Sequence, residues 1–144
     1  MIVVWHCLVG NPTPKHLRGF MKTKVLAIDD SKTIRVLLQT TLQDAGFDVV
    51  TADDGLQGVE MYTQCEPDVV ITDINMPNLD GFGVIETLRG DQVNSTVPIL
   101  VLTTESSAEQ KARARDGGAT GWIVKPFDDV SLIGVLRRVT GHGL

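Results

Sequence analysis

Residues 69–81 read Val-Val-Ile-Thr-Asp-Ile-Asn-Met-Pro-Asn-Leu-Asp-Gly, an apolar run that stops at Asp73 and leads into a loop. A short run rich in Val and Ile is typical of a strand buried on both faces of a parallel sheet. The same pattern occurs five times after residue 23, each time with a polar residue directly behind the run. The predicted strands are Val25–Ile28, Val49–Ala52, Val69–Thr72, Ile99–Leu102 and Trp122–Val124.

Amphipathic stretches of helical length separate these strands. In the first, apolar residues between Ile34 and Ala45 follow the i, i+3, i+4, i+7 spacing of a helix with one apolar face. Ser31 can cap the start of this helix, and Gly46 can end it. The other helices are predicted at about Asp54–Cys65, Gly81–Gly90, Ser107–Asp116 and Asp129–Val139. Strands that alternate with helices predict an α/β fold, a five-stranded parallel sheet with helices on both faces.

Polar side chains at the strand ends suggest a common site, because ligands of open parallel sheets bind beyond the carboxyl ends of the strands. These ends carry Asp29 and Asp30, Asp73, Thr103 and Lys125. Each residue alone has an ordinary explanation as a turn residue, a helix cap or a solvated charge. Their recurrence at four strand ends favours one site.

The chemistry of this set points to metal binding and phosphoryl transfer. Three converging carboxylates repel one another unless a cation neutralises them, and hard oxygen ligands favour Mg²⁺, Mn²⁺ or Ca²⁺. A carboxylate nucleophile, a lysine and a threonine hydroxyl complete the parts of a transfer through an aspartyl phosphate. Zinc is not expected, because the histidines at 6, 16 and 142 lie in the tails and form no ligand spacing with cysteine.

The composition fits one globular domain of 144 residues with a net charge of -5. Without residues 1–20 the remainder has 11 basic and 18 acidic residues, which argues against nucleic acid as a partner. Cys7 and Cys65 form no disulfide framework, so we expect both to be reduced in a cytoplasmic protein. No apolar run approaches the roughly 18 residues that a membrane-spanning helix needs, so no membrane insertion is expected.

Residues 1–20 do not follow the pattern of the rest of the chain. Ile2–Val9 is a short apolar run, and Asn11–Pro14 is typical of an extended, turn-prone linker. The basic residues come after the apolar run, which does not fit a signal peptide. We predict an N-terminal extension outside the core domain, which would occupy residues 21–144. The alternative is an extra strand or a tip that touches a membrane.

The sequence resembles the receiver domain of two-component response regulators, above all the single-domain, CheY-like chemotaxis type. The resemblance covers about Lys22–Thr140 and implies a flavodoxin-like fold with strand order 2-1-3-4-5. It implies that residues 21–144 form a receiver domain. The stretches that carry it are Ile28–Ser31, Ile71–Pro77 with Asp80-Gly81, Leu102–Glu105 and Val124–Phe127.

The resemblance implies that Asp73 accepts a phosphoryl group from a phosphohistidine kinase in the presence of Mg²⁺, for which Mn²⁺ could substitute. Asp30, Asp73 and the backbone carbonyl of Asn75 would bind the metal directly, and Asp29 would act largely through a metal-bound water. Lys125 would contact the phosphoryl group.

Further site residues follow from the same resemblance. Thr103 would also contact the phosphoryl group, and the peptide bond between Lys125 and Pro126 would be cis. Thr104 stands where a smaller residue is usual and could narrow access to the site. Asn75 and Glu105 would tune the loss of the phosphoryl group, with an expected half-life of seconds to minutes.

The resemblance also implies a switch, in which Thr103 moves inward and an aromatic ring on the fifth strand fills the space it leaves. The aromatic residue here is Trp122, where Tyr or Phe is usual. Because an indole is larger, we expect it to bury incompletely. The alternative interpretation of Trp122 is a packing or interface residue on an edge strand.

The expected function is therefore a signalling switch and not an enzyme beyond its own phosphorylation and dephosphorylation. The chain ends soon after the last predicted helix, so we expect a monomer without a separate output domain. Its effector would bind the surface of the fourth helix, fifth strand and fifth helix. The alternatives are a phosphate sink or relay without an effector, and an aspartyl-phosphate phosphatase. Such phosphatases commonly carry a second Asp where this chain has Asn75.

Overall fold

The computed structural model of the chain describes residues 2–5 and 22–141, within which six strands and five helices form one α/β unit. Cys7, the three histidines and the predicted linker Asn11–Pro14 lie outside these ranges. The strands are β1 Ile2–Val4, β2 Lys24–Ile28, β3 Asp48–Ala52, β4 Val69–Thr72, β5 Ile99–Thr103 and β6 Gly121–Val124. The helices are α1 Lys32–Asp44, α2 Gly55–Cys65, α3 Gly81–Arg89, α4 Ala108–Gly117 and α5 Asp129–Val139.

The strands form one sheet in the order β1-β6-β5-β4-β2-β3. Strands β2 to β6 are parallel and correspond to the five predicted strands, so the predicted order 2-1-3-4-5 and the α/β class are confirmed. The predicted number of strands was wrong, because β1 adds a sixth strand antiparallel to β6. It follows that β6 is not an edge strand. The alternative of an extra strand thus agrees with Ile2–Val4, and the division into an extension at residues 1–20 and a receiver domain at residues 21–144 stays a prediction.

The sheet separates two clusters of buried side chains, because successive residues of a strand point to opposite faces. In β2, Val25 and Ala27 belong to one cluster, while Leu26 and Ile28 belong to the other. Helices α1 and α5 cover the first cluster through Leu38 and similar residues. Helices α3 and α4 cover the second, with fully buried side chains from both.

A Ser or Asp side chain caps the start of each of the five described helices. In each case its oxygen accepts the backbone N–H three residues further on, which satisfies one of the amides left unpaired at a helix start. The loops that hold these caps also follow the carboxyl ends of the strands, so the capping contacts fix the edge of the sheet that carries the site. The caps are Ser31, Asp54, Asp80, Ser107 and Asp128.

Candidate phosphoacceptor and metal site

Three carboxylates lie together at the carboxyl ends of β2 and β4. Oxygens of Asp29, Asp30 and Asp73 all lie within 4.8 Å of one another. The register explains this, because Ile28 pairs with Thr72 and the next residue of each strand therefore enters the same space. Asp29 is 1% exposed and Asp73 9%, whereas Asp30 is open to solvent. The cluster thus has a buried floor and one accessible side.

The ammonium group of Lys125 bridges the two buried carboxylates. Its Nζ donates to Asp29 Oδ2 at 2.7 Å and to Asp73 Oδ2 at 3.0 Å. The backbone holds this residue in place, since its N–H donates to the carbonyl of Thr103 at 2.8 Å. The peptide bond from Lys125 to Pro126 is cis, as the resemblance implied. Lys125 therefore acts as a fixed counterion at the end of β6.

Burial and the ion pair shift the pKa values of Asp29 and Lys125 in opposite directions. Burial raises the pKa of Asp29 above its ordinary value, against the hydrogen bonds from Lys125 and from the Ser31 amide, which lower it. Burial alone would lower the pKa of Lys125, but hydrogen bonds to Asp29 and Asp73 outweigh it, so that this pKa is raised. The ammonium is therefore charged at neutral pH. Three carboxylates and one ammonium have a formal charge of -2, which one divalent cation would neutralise.

The donor set fits a hard divalent cation. All three side chains offer carboxylate oxygens, which Mg²⁺ and Mn²⁺ prefer. The exposed side, at Asp30, leaves room for the waters that Mg²⁺ retains. Asn75 is exposed two residues after Asp73, and its carbonyl as a ligand stays a prediction.

Backbone contacts fix the orientation of Asp73. Its Oδ1 accepts the N–H of Ile74 at 2.6 Å, and its own N–H donates to Ile28 O at 3.0 Å. Gly81 packs against the same segment, where a Cβ atom would lie 2.2 Å from Asp73 O and 2.8 Å from Ile74 Cα. In the sequence, Gly81 is predicted as the start of a helix and belongs to one of the stretches that carry the resemblance. The sequence signal for a special role of Gly81 was its position directly after Asp80, which caps the helix.

Thr103 lies at the end of β5 and is fully buried. Its Oγ1 accepts the N–H of Glu105 at 3.3 Å, and no hydrogen bond described for Thr103 reaches a carboxylate of the cluster. Glu105 is partly buried, and Thr104 between them is exposed. The structure thus brings together Asp29, Asp30, Asp73 and Lys125, and it holds the Thr103 hydroxyl within its own loop.

Two expectations about Trp122, its incomplete burial and its position on an edge strand, were wrong. The indole is 0% exposed and belongs to the cluster under α3 and α4, so the expected incomplete burial was wrong. Its Nε1–H donates to the carbonyl of Glu105 at 3.1 Å, which satisfies the one polar group of the ring. The alternative was a packing or interface residue on an edge strand; Trp122 is a packing residue, but its edge position was wrong, because Val3 of β1 pairs with Trp122. Whether Trp122 switches stays a prediction.

Comparison with known sequences places this geometry in context. Residues 25–137 match the family model of the response regulator receiver domain. Chemotaxis protein CheY-3 of Vibrio cholerae is 37% identical over 117 residues, which are 81% of this chain and 90% of that protein. The probable transcriptional regulator ycf27 of Guillardia theta is 42% identical over 118 residues, 82% of this chain and 45% of that protein. The chain spans about half the length of the transcriptional regulators it matches.

Solved structures show the same fold. Chemotaxis protein CheY4 of Vibrio cholerae has a TM-score of 0.78 and 44% identity, over 83% of this chain and 99% of that one. The receiver domain of the Francisella response regulator 1452 has a TM-score of 0.77 and 28% identity, over 83% and 98% of the two chains. Among the described residues, no helix is long and apolar enough to cross a membrane.

Proposed function

Because the chain belongs to the family of response regulator receiver domains, which act in two-component phosphorelays, we propose that Asp73 is its phosphoacceptor. The donor would be the phosphohistidine of a histidine kinase. The observation that carries the proposal is a buried Asp73 held between Lys125 and two further carboxylates at the carboxyl edge of the sheet. Apart from its own phosphorylation and dephosphorylation, the domain would catalyse nothing.

The contacts of Asp73 suit a nucleophile. Each of its carboxylate oxygens accepts one hydrogen bond, from Ile74 or from Lys125, and so each keeps a further lone pair. In the transfer, one of these oxygens forms the new P–O bond while the P–N bond to the donor imidazole breaks. The imidazole nitrogen keeps the electron pair of that bond. Lys125 can then donate to a phosphoryl oxygen without leaving the site.

Mg²⁺, or Mn²⁺ in its place, would be held by Asp30, Asp73 and the Asn75 carbonyl with help from Asp29, and would supply neutralisation of the charge on the transferring group. The Thr103 hydroxyl would donate a hydrogen bond to another phosphoryl oxygen. This is compatible with its present contact, because Oγ1 acts there as an acceptor and the O–H remains available.

The output would be a change in protein binding at the surface formed by α4, β6 and α5. Support comes from the contact between Glu105 and Trp122, which joins the loop behind Thr103 to β6. Chemotaxis-type output is favoured because the chain covers 90% of CheY-3 and 99% of the CheY4 structure. We propose that the protein works as a monomer in the cytoplasm.

Intact-protein mass spectrometry after incubation with acetyl phosphate and Mg²⁺ tests the phosphoacceptor. We expect the mass to rise by one phosphoryl group, and we expect Asp73→Asn to abolish the rise. Asp53→Asn is the matched control, because Asp53 is an exposed carboxylate that also follows a strand, β3, and lies outside the three-carboxylate cluster. A folded parent protein that gains no mass, or an Asp73→Asn protein that still does, would contradict the proposal.

A further inference from the structure

Residues 2–5, which we call the N-terminal cover, occupy the edge of β6 beside Trp122. Val3 pairs with Trp122 and Val4 with Gly121, and the Trp5 N–H donates to the carbonyl of Thr120 at 2.8 Å. The backbone groups of β6 that would otherwise face solvent are thus paired. This matters because an unpaired strand edge is a surface to which another extended chain can add.

The cover is apolar on both faces and contacts both buried clusters. Ile2 and Val4 pack against the cluster under α1 and α5, while Val3 and Trp5 pack against the cluster that contains Trp122. A segment that replaced the cover would need the same chemistry, which is an extended strand with apolar side chains on both sides.

Gly121 permits this close approach. A Cβ atom at this position would lie 2.7 Å from the carbonyl oxygen of Val3 and 3.5 Å from Val4 Cα. The third close atom is the end of the Leu100 side chain at 3.0 Å, which can rotate away, whereas the backbone of β1 cannot. The edge therefore accepts a strand only because residue 121 has no side chain.

The cover contains the shortest described strand of the sheet. Its strand has three residues, and 19 residues separate Val4 from Lys24. Such short elements open locally while the rest of the domain remains folded.

A continuous set of contacts joins the cover to the acidic site. Thr103, whose backbone carbonyl holds Lys125, accepts the N–H of Glu105. The carbonyl of Glu105 accepts the indole N–H of Trp122, and Trp122 is the residue with which Val3 pairs. A movement of the Thr103 side chain toward a group on Asp73 would weaken the hydrogen bond that Oγ1 accepts from the Glu105 N–H.

We propose that the N-terminal cover masks the β6 edge within the same molecule. The cover detaches from this edge when the phosphoacceptor site is filled. The released edge accepts an extended segment of an effector that is apolar on both faces. The coupling rests on the proposed function of Asp73, whereas the masking of the edge does not. By thermodynamic linkage, opening of the cover raises the affinity of the site for its ligand by the same factor by which filling of the site favours opening.

Hydrogen exchange of the full-length protein tests the masking. Val3→Asp places a charge against the buried cluster and should speed exchange of the Trp122 amide by about ten-fold or more. This amide faces β1, because the Lys125 N–H donates to β5 and alternate amides of a strand face opposite neighbours. Gly121→Ala should do the same through the backbone clash, and Gly134→Ala is the control, because nothing lies within 4 Å of a Cβ atom there. Unchanged exchange of the Trp122 amide in both the Val3→Asp and Gly121→Ala proteins would overturn the inference.

Strand addition is tested with a synthetic peptide that has the sequence of residues 1–9. Added to the Val3→Asp protein, it should restore slow exchange at β6, because it offers the native cover in trans. A peptide with the same Val3→Asp change should not. If the unmodified peptide has no effect, the edge is not a strand-accepting surface.

Beryllofluoride with Mg²⁺ tests the coupling. In the parent protein it should speed exchange at β6, and the Val3→Asp protein should bind it several-fold more tightly, within the usual range of about 5- to 150-fold for coupled sites. Binding of equal strength in the two proteins would overturn the coupling. Absence of beryllofluoride binding in both would instead count against the phosphoacceptor, and the masking would still be decided by the exchange of the untreated proteins.

Discussion

Replacement of Lys125 by Met removes the positive charge of the cluster and keeps most of the side chain's volume. The ammonium lies 2.7 Å and 3.0 Å from two buried carboxylate oxygens. At an effective dielectric constant of about 20, each contact corresponds to a Coulomb attraction of about 6 kcal/mol before desolvation is subtracted. Breaking a buried pair by removing one partner typically costs about 3–5 kcal/mol, because the other charge stays buried without compensation. That is a large part of the total stability of about 5–15 kcal/mol of a domain of this size.

The same substitution should strengthen the response to Mg²⁺. In the parent protein a divalent cation enters a cluster that already holds one ammonium, whereas in Lys125→Met it meets three uncompensated carboxylates. Urea unfolding in EDTA should therefore show a strongly destabilised variant, and excess MgCl₂ should raise its unfolding midpoint more than that of the parent. Lys22→Met, which removes an exposed lysine, is the control. Equal stability of Lys125→Met and parent in EDTA, or equal gains with Mg²⁺, would refute the assignment of Lys125 as the counterion.

Three further outcomes are expected. Gly81→Ala should lower the free energy of unfolding by about 1–3 kcal/mol through the clash with the Asp73 backbone, whereas Gly134→Ala should raise it by up to about 1 kcal/mol in urea titrations; the same sign for both would contradict the steric account. The phosphoryl group on Asp73 should disappear within seconds to minutes after acetyl phosphate is removed, as followed by mass, and persistence for hours would rule this out. Hydrogen bonds from a backbone amide and an asparagine side chain hold the pKa of Asp54 below its ordinary 3.8; its stabilisation is therefore present above that pH and lost as the pH falls through the lower folded value. In urea titrations, the difference in free energy of unfolding between the parent and Asp54→Asn should thus narrow below about pH 4, and a difference that stays constant into the acid range would contradict this.

The parallel strands and helices could be predicted because their signals are local. Each run of Val and Ile is bounded by polar residues, glycine or proline, and β4 and α5 begin and end as predicted. β1 could be named only as an alternative. Its partner β6 lies more than a hundred residues away in the sequence, and three apolar residues carry no periodicity that would distinguish a strand from a tail.

The residues of the candidate site could be predicted from the sequence, but the contacts between them could not. The fold rule for strand ends predicted Asp29, Asp30, Asp73, Thr103 and Lys125 from the sequence. All but Thr103 come together in the cluster. That Lys125 bridges two carboxylates depends on side-chain positions across three strands, which no local pattern specifies. The prediction for the burial of Trp122 was wrong because the neighbouring strand β1 lies outside the alternating strands and helices from which the domain was predicted.

The division of the interior by the sheet has a consequence for how such a sequence can drift over evolutionary time. Substitutions add independently when residues share no neighbours, and they depend on one another when they touch. Leu38 and Leu88 lie in separate clusters on opposite faces. Each cluster can therefore accumulate compensating changes of its own, and a lineage could remodel the side under α3 and α4 while the side under α1 and α5 keeps its ancestral packing.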